Sequence, residues 1–399
     1  MSAHEAKPCD PICAAGGYDF SEPSIMRQST LLKIKYSFFA TKCLRKFYEF
    51  ALRAFSAIKL GQTDDPTYLL ASCLTPKQIQ AYQALRNEIE TTPAADSNAL
   101  LSCSIIVPFR DKWPLTQACL NSLLAQDLSG LNLQVVLVDN GSQDTEVAQG
   151  LLQVTQEKRI LWQTVKIDRP FNYSELNNVG FERTCDFKPD LVLFLNNDIE
   201  FTNPQDLRSL LYFKWKNRKI TGAVGATLLY PDRHVQHLFL APGVKIAAAH
   251  PLKGINYNPN HFWYQAPRPV AAVTGALLCL TPREFADLKG FDEQLATGYQ
   301  DLDLCLKLQE LGRSNWVVPS VVCIHHENAT RSRSHNWKEI DLVYARWGKT
   351  LTQNAYLSDL LSRESEYPAL RLTAFQSSRE KMFAKILLEQ SRPKKENEL

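Results

Sequence analysis

The chain has 399 residues, of which 45% are hydrophobic and 22% charged, as is ordinary for a globular protein of two or three domains. Its formal net charge of +3 is too small to indicate a nucleic-acid-binding protein. The ten cysteines show neither metal-binding nor redox spacing, which is typical of reduced thiols. No basic segment followed by an apolar core opens the sequence, and the apolar stretch at residues 270–280 is too short for a bilayer. We therefore expect a cytoplasmic protein.

The first hundred residues differ in character from the rest. Residues 1–29 contain prolines and glycines without periodicity, which predicts a flexible arm. Residues 30–60 place aromatic and apolar side chains at three- and four-residue steps, beside seven basic residues and a single acid, Glu49. Such a helix either lies on an anionic membrane surface or packs its apolar stripe on the main domain, and both interpretations stay open. A second predicted helix at residues 75–91 completes a helical N-terminal extension, residues 30–99.

From residue 100 onward, predicted strands alternate with predicted helices. The strands are expected at residues 103–107, 134–138, 161–167, 191–195, 223–229, 273–280 and 316–324. The helices are expected at residues 115–125, 150–156, 172–184 and 301–311, and residues 230–268 read as a loop-rich region. This alternation predicts an α/β domain with a doubly wound, mostly parallel sheet over residues 100–345. Residues 346–399 are expected to form a helical C-terminal tail.

One stretch stands out because chemistry-bearing residues follow a buried strand directly. Five apolar residues, 191–195, are followed by Asn196, Asn197 and Asp198. Open α/β sheets bind their ligands at the carboxyl ends of such strands. A hard cation such as Mg²⁺ or Mn²⁺ takes one or two carboxylates together with substrate phosphates. For this stretch alone, a polar strand end leading into a turn is the alternative.

Further short segments complete a pattern. They are residues 108–111, 138–142, 195–198, 290–293, 300–305 and 325–327, with additional matches at 169–174, 177–178, 230–232, 235–237 and 274–276. In this order and spacing they resemble the inverting glycosyltransferases of family 2, which have the nucleotide-sugar-binding GT-A fold. The similarity is greatest to bacterial rhamnosyltransferase-like members that act on cell-surface polysaccharides. It covers roughly residues 100–335 and leaves out the N-terminal extension and the tail.

The resemblance implies a donor-binding side. Asp139 corresponds to the acid that holds the base of the nucleotide, and Pro108 and Asp111 line the same pocket. Asn177 and Asn197 are expected on the donor side as well.

The resemblance also implies a metal and a base. Asp198 corresponds to the metal-binding acid of an Asp-x-Asp motif whose first acid is here an amide, and His325 approaches the metal or the diphosphate. Asp301 corresponds to the general base, with Gln300 in place of a glutamate. The first turn of a helix favours an ionised Asp301. Acceptor-side or supporting positions are Gln300, Asp303, His237 and His326.

The expected activity is inverting transfer of a sugar from a nucleotide-diphosphate donor, a UDP- or dTDP-sugar, with Mg²⁺ or Mn²⁺. The expected acceptor is a hydroxyl of a growing cell-surface glycan or a lipid-linked acceptor, with residues 30–60 in peripheral contact with the inner face of the plasma membrane. Two other functions stay open. A nucleotidyltransferase would carry a Gly-rich loop where this chain has residues 108–113. An inactive sugar-nucleotide-binding protein would tend to lose Asp198 or Asp301, and both are present.

Overall fold

The computed structural model describes residues 100–260, 264, 266–327, 336–352 and 362–366. The expected arm, the helical N-terminal extension with its membrane-facing segment, and most of the C-terminal tail lie outside these ranges. The boundaries proposed for those segments therefore stay predictions. Within the described ranges we find no helix with the length and hydrophobicity of a transmembrane span.

Twelve strands form among the described residues. They are β1 (Leu101–Phe109), β2 (Leu131–Asp139), β3 (Ile160–Lys166), β4 (Leu191–Leu195), β5 (Ile199–Phe201), β6 (Thr221–Leu229), β7 (Val235–His237), β8 (Ala241–Pro242), β9 (Ala248–Ala249), β10 (Arg268–Val270), β11 (Leu277–Leu280) and β12 (Ser314–His325). The described helices are α1 (Trp113–Leu124), α2 (Thr145–Val154), α3 (Tyr173–Glu182), α4 (Asp206–Lys216), α5 (Pro282–Asp287), α6 (Gln300–Glu310) and α7 (Trp337–Thr352).

Ten of these strands form one mixed sheet with the path β10-β12-β6-β11-β4-β1-β2-β3, with β5 paired to β12 and β7 to β6. Strands β3, β2, β1 and β4 run parallel, and β6 runs parallel to β12. Strand β11 lies between β4 and β6 and runs antiparallel to both. All the long parallel strands consequently point the same way, and the doubly wound, mostly parallel architecture is confirmed.

Two apolar clusters cover the two faces of this sheet, because successive residues of a strand point to opposite sides. In β1, Ile105 packs into one cluster and Ile106 into the other, and both are fully buried. Helices α1 and α4 cover the first face, and helices α3 and α6 cover the second. The helical contacts include Leu120 of α1, Leu210 of α4, Leu176 of α3 and Leu306 of α6. The result is a three-layer α/β/α arrangement.

Several details differ from the sequence prediction. The strand expected at residues 273–280 begins only at Leu277, because residues 273–276 form an irregular turn. Helix α4 and the three-residue strand β5 occupy a region for which the sequence pattern predicted no element. The loop-rich region contains the short strands β7, β8 and β9.

Candidate active site

The predicted functional segments meet at one edge of the sheet. Strands β1, β2 and β4 end at Phe109, Asp139 and Leu195, and the parallel β12 ends at His325. Since these strands point the same way, their carboxyl ends share an edge, where open α/β sheets place their ligands. This edge divides into a donor side, after β1 and β2, and a catalytic side, after β4 and β12.

On the donor side, carboxylates fix two loops against each other. Asp139 accepts the backbone N–H of Ser142 at 2.7 Å, and Asp111 accepts those of Gln143 at 2.6 Å and Asp144 at 3.0 Å. The Asp111 N–H in turn donates to the Ser142 hydroxyl at 2.8 Å. Hydrogen bonds from the Asp144 and Gln143 amides lower the pKa of Asp111. The loops after β1 and β2 are therefore held in one conformation by the acids expected to bind nucleotide.

The other residues predicted to bind the nucleotide-sugar donor make contacts within the protein. Pro108 is buried within β1, opposite Val138 of β2. Asn177 is fully buried in α3, where its amide donates to the Tyr173 carbonyl at 2.8 Å and its Oδ1 has no hydrogen-bond partner. Asn197 donates from Nδ2 to the Thr116 hydroxyl of α1 at 2.9 Å. Their part in donor binding stays a prediction.

On the catalytic side, the predicted metal residues come together. His325 Nε2 lies 3.2 Å from Asp198 Oδ1, and the two side chains are only 10% and 14% exposed. That carboxylate oxygen has no hydrogen-bond partner. An imidazole nitrogen and a carboxylate oxygen are ligand types for Mn²⁺ or Mg²⁺, and an orphaned buried oxygen is a position where a cation would be stabilised. Across the ranges that the structure describes, no cluster of three or more His, Cys, Asp or Glu side chains forms a metal site.

His326 faces a different partner from its neighbour. Its Nε2 lies 2.6 Å from Glu200 Oε1, and its backbone N–H donates to the Asp198 carbonyl at 3.0 Å. The ring of His326 therefore pairs with β5, and its backbone holds the Asp198 main chain in place.

A polar cluster to which the sequence analysis gave no role contacts the ring nitrogen of His325 that does not face Asp198. His325 Nδ1 is 2.7 Å from Gln236 Oε1, and Gln236 Nε2 donates to Glu327 Oε2 at 2.9 Å. Glu327 also accepts the Tyr230 hydroxyl at 3.0 Å and lies 3.5 Å from Lys253 Nζ. Burial would raise the pKa of Glu327, but the charge of Lys253 and the hydrogen bonds from Gln236 and Tyr230 lower it to about 2. Segments 235–237 and 325–327 both belonged to the sequence pattern, which was the available signal for Gln236 and Glu327.

The predicted base sits in the first turn of α6. Asp301 Oδ2 accepts the Gly275 N–H at 2.9 Å, and its Oδ1 accepts the Leu302 N–H at 2.8 Å. The preceding Gln300 is buried, and its Oε1 has no hydrogen-bond partner. Asp301 itself is partly exposed, and backbone N–H groups hold both of its carboxylate oxygens.

The turn at residues 274–276 connects Asp301, the predicted base, to the end of β4. The Gly275 carbonyl accepts the Tyr173 hydroxyl at 2.6 Å while its N–H donates to Asp301. A Cβ at position 275 would lie 3.0 Å from Tyr173 Oη, so glycine permits this close approach. The Asn196 N–H donates to the Ala276 carbonyl at 2.9 Å, which ties the turn to the end of β4.

His237 supports the same turn from below. Its Nε2 accepts the Thr274 N–H at 3.2 Å, and its Nδ1 lies 2.7 Å from His250 Nδ1. Burial, reinforced by the charges of neighbouring His250, His325 and Lys253, lowers the pKa of His237 well below its usual value. The structure thus places His237 under the turn as a neutral acceptor.

Asp303 is bound by α7, the last helix among the described residues. Its carboxylate accepts Arg346 Nη1 and, at 2.8 Å, Trp347 Nε1, and it pairs with Lys307 at 2.7 Å. Elsewhere on α7, the buried Glu339 accepts both the N–H and the hydroxyl of Thr297. Helix α7 therefore holds the segment that leads into α6 through hydrogen bonds to Thr297, and it holds α6 itself through Asp303.

The sequence comparisons agree with this geometry. The family described as Glycosyl transferase family 2 matches residues 104–231, from β1 into the region after β6. Residues 104–231 are therefore similar to family 2 glycosyl transferase domains. It is 30% identical over 256 residues to the uncharacterized protein y4gI of Sinorhizobium fredii, and 35% identical over 231 residues to the O-antigen biosynthesis protein RfbC of Myxococcus xanthus. These alignments cover 61% and 57% of this chain but only 27% and 17% of the relatives, so the chain spans a minor part of their length.

A solved structure shows the same fold. The crystal structure of GalNAc-T7 with UDP, GalNAc and Mn²⁺ superposes with a TM-score of 0.50 at 14% identity, over 80% of this chain and 65% of that chain. The fold is therefore the GT-A type that the sequence predicted.

Proposed function

We propose that this domain transfers a sugar from a nucleotide-diphosphate sugar to an acceptor hydroxyl. One observation carries the proposal. A single turn at residues 274–276 connects the Asp301 carboxylate to the end of β4, beside the facing pair Asp198 and His325. Glycosyl transfer needs a held donor, stabilisation of the leaving diphosphate and a base for the acceptor, and this edge offers residues for all three.

Asp198 and His325 would hold the divalent metal, Mg²⁺ or Mn²⁺. Two protein ligands leave coordination positions for diphosphate oxygens, as in other sites where the metal binds through few side chains and the substrate phosphates. When bound, such a metal stabilises the negative charge that develops on the leaving diphosphate. The GalNAc-T7 structure contains Mn²⁺, which supports the choice of this metal as the first to test.

Asp301 would act as the general base. The acceptor oxygen forms a new bond to the anomeric carbon, the bond from that carbon to the diphosphate breaks, and the acceptor proton moves to Asp301. Attack from the face opposite the diphosphate inverts the anomeric configuration. The Gly275 and Leu302 N–H groups hold the carboxylate in place, which limits the reorganisation needed at the moment of proton transfer.

The donor side would bind the nucleotide, with a UDP- or dTDP-sugar as the expected donor. The backbone amides of residues 142–144 already fix Asp111 and Asp139, so the loop that receives the nucleotide is preorganised.

The acceptor would be a growing cell-surface glycan or a lipid-linked intermediate. The similarity to a protein named for O-antigen biosynthesis supports this class. Peripheral contact of residues 30–60 with the inner face of the plasma membrane belongs to the same proposal, because a lipid-linked acceptor would lie there.

The first experiment is a donor panel of UDP-, dTDP- and GDP-sugars, scored by nucleotide release with and without Mn²⁺. We expect one donor class to be turned over only with the metal. Binding of a donor without turnover, even with an acceptor-containing membrane extract, would instead identify an inactive binding protein. Product NMR then determines whether the anomeric configuration is inverted.

A further inference from the structure

His325 belongs to a hydrogen-bonded series that runs from Glu327 to Asp198. Glu327 Oε2 receives Gln236 Nε2 at 2.9 Å, Gln236 Oε1 faces His325 Nδ1 at 2.7 Å, and His325 Nε2 faces Asp198 Oδ1 at 3.2 Å. Gln236 is 4% exposed and His325 is 8% exposed, so this series lies inside the protein. None of the roles proposed above uses Gln236 or Glu327.

The direction of the first hydrogen bond follows from what each group can donate. Glu327 Oε2 is approached by the Tyr230 hydroxyl and by the Lys253 ammonium, and an ammonium has only hydrogens to offer. The oxygen is therefore an acceptor, and the side of the Gln236 amide that faces it must be its NH₂ group. The amide carbonyl oxygen consequently points toward His325.

This orientation determines the tautomer of His325. A carbonyl oxygen only accepts, so Nδ1 of His325 must carry the hydrogen that it donates to Gln236. In the neutral imidazole the other nitrogen, Nε2, then presents its lone pair to Asp198. Two acceptors, the Nε2 lone pair and the Asp198 carboxylate, thus face each other across 3.2 Å, and Asp198 Oδ1 has no hydrogen-bond partner. A cation between them would bind both.

We propose that Gln236 is a positioning residue that fixes the tautomer and ring orientation of His325 for metal binding, with Glu327 fixing Gln236 in turn. The inference rests on the proposed metal site but adds residues to it. A neighbouring group that accepts the second ring N–H of a metal-binding histidine typically changes metal affinity by about 10–100-fold when it is removed.

The central test compares Gln236→Leu with the wild-type 399-residue chain. Leucine keeps roughly the side-chain size but offers no acceptor to Nδ1. Titration with Mn²⁺ alone, followed by the EPR signal of free Mn²⁺, should show about 10–100-fold weaker binding in the variant. Affinity within about twofold of wild type would overturn the proposal.

A matched control separates positioning from a loss of stability. Gln126 is also a buried amide with two contacts, since it accepts the Leu207 N–H at 3.0 Å and donates to the Ser122 carbonyl at 3.3 Å. It lies just after α1, and its two hydrogen-bond partners do not belong to the candidate site. Gln126→Leu should lower Tm without changing Mn²⁺ affinity, and an equal loss of Mn²⁺ binding in both variants would refute a specific role for Gln236.

A spectroscopic measurement reads the tautomer without any metal. Long-range ¹H–¹⁵N spectra of histidine-labelled protein resolve protonated from unprotonated ring nitrogens, and His325→Gln identifies the His325 signals among the eight histidines. We expect wild-type His325 to be protonated at Nδ1 and unprotonated at Nε2, and we expect Gln236→Leu to lose this preference. Protonation at Nε2 in the neutral wild-type protein would contradict the series itself. A wild-type chain with the expected tautomer that fails to bind Mn²⁺ would instead contradict the proposed metal site.

An exchange of the two partners provides a rescue. In the double variant Gln236→Glu with Glu327→Gln, a carboxylate accepts from His325 Nδ1 and the new amide donates to that carboxylate. If Gln236 acts through the hydrogen bond, the double variant should recover Mn²⁺ affinity to within several-fold of wild type. Failure to improve on Gln236→Leu, in a protein with unchanged circular dichroism, would show that geometry beyond this hydrogen bond governs the site.

Discussion

The carboxylates on the donor side of the sheet edge have different hydrogen-bond partners from Asp198 on the catalytic side. On the donor side, Asp111 and Asp139 accept backbone N–H groups of the neighbouring loop. On the catalytic side, Asp198 Oδ1 has no hydrogen-bond donor and faces an imidazole nitrogen instead. The first arrangement fixes the conformation of a loop. The second leaves a carboxylate oxygen without a hydrogen bond, to which a cation would bind.

A second contrast, between side-chain and backbone partners, appears within one helix. Asp301 and Asp303 are two residues apart in α6, yet Asp303 is bound by Arg346, Trp347 and Lys307 while Asp301 is held by backbone donors and stays partly exposed. An acid whose oxygens are all engaged by side chains of the protein serves the fold. Asp301, which backbone N–H groups hold and which is partly exposed, is the acid proposed to act as the base.

The largest expected effect follows from removing the unsatisfied carboxylate. Asp198→Ala should abolish turnover and Mn²⁺ binding, because the metal would lose its only proposed carboxylate ligand. Isothermal titration with Mn²⁺ and nucleotide-release assays measure both effects. Glu200→Gln is the control, since Glu200 pairs with His326 and not with His325, and it should retain metal-dependent activity. Full activity of Asp198→Ala in the presence of a chelator would rule out the proposed metal role.

The next effect separates the two acids of α6. Asp301→Asn preserves shape but removes basicity, so kcat should fall by about 10²–10⁴ with donor affinity almost unchanged. Asp303→Asn should instead lower the free energy of unfolding by about 1–3 kcal/mol, because Arg346 and Lys307 lose a charged partner. Its kcat should change by less than about tenfold.

Steady-state kinetics and chemical denaturation of both variants test this pair. A loss confined to KM in Asp301→Asn would indicate a binding role. Equal losses of kcat in the two variants would remove the distinction between them.

The sequence predicted the sheet better than it predicted the elements outside it. Strands β1, β2 and β4 are buried on both faces and therefore appear as continuous apolar runs. Helix α4 was missed because Lys214 interrupts its apolar stripe. Lys214 is fully buried and pairs with Glu284 at 2.8 Å, a contact 70 residues away that no local pattern contains.

The site residues best predicted from the sequence are those whose side chains can themselves bind a metal or a proton. Asp198 was named from its strand-end position, and the resemblance gave roles to Asp198, His325 and Asp301. The structure brings Asp198 and His325 together. Gln236 received no role, because a neutral amide matters only through its contact with His325, 89 residues away. Residues 273–276 were predicted as strand for a similar reason, since the hydrogen bonds that shape this turn come from Tyr173 and Asp301.

A smaller effect is expected on the donor side. Asp139→Asn still offers an acceptor to the Ser142 N–H, so the loop should keep its shape, but it removes the charge that would accept from the base of the nucleotide. We expect KM for the nucleotide sugar to rise by about tenfold with kcat nearly unchanged, because a hydrogen bond to a charged group is worth about 1.5–3 kcal/mol. Asp144→Asn is the control, as Asp144 accepts the exposed Lys112 N–H in the same loop. If both variants behave alike, Asp139 acts through the loop and not through the nucleotide.

The smallest effect is the pH dependence of stability that the buried His237 contributes. His237 is buried and neutral beneath the turn at residues 274–276, and burial lowers its pKa well below 6.5. The unfolded chain binds a proton at this position below about pH 6.5, whereas the folded protein does not. The stability contributed by the neutral histidine is therefore fully present above pH 6.5 and is lost as the pH falls below it. Each pH unit in that range should lower the free energy of unfolding by about 1.4 kcal/mol.

His237→Gln keeps an acceptor for the Thr274 N–H and has no proton to gain, so its stability should decline less steeply between pH 6 and pH 5. Urea denaturation at both pH values measures the difference, and parallel slopes for wild type and His237→Gln would show that His237 becomes protonated inside the folded protein.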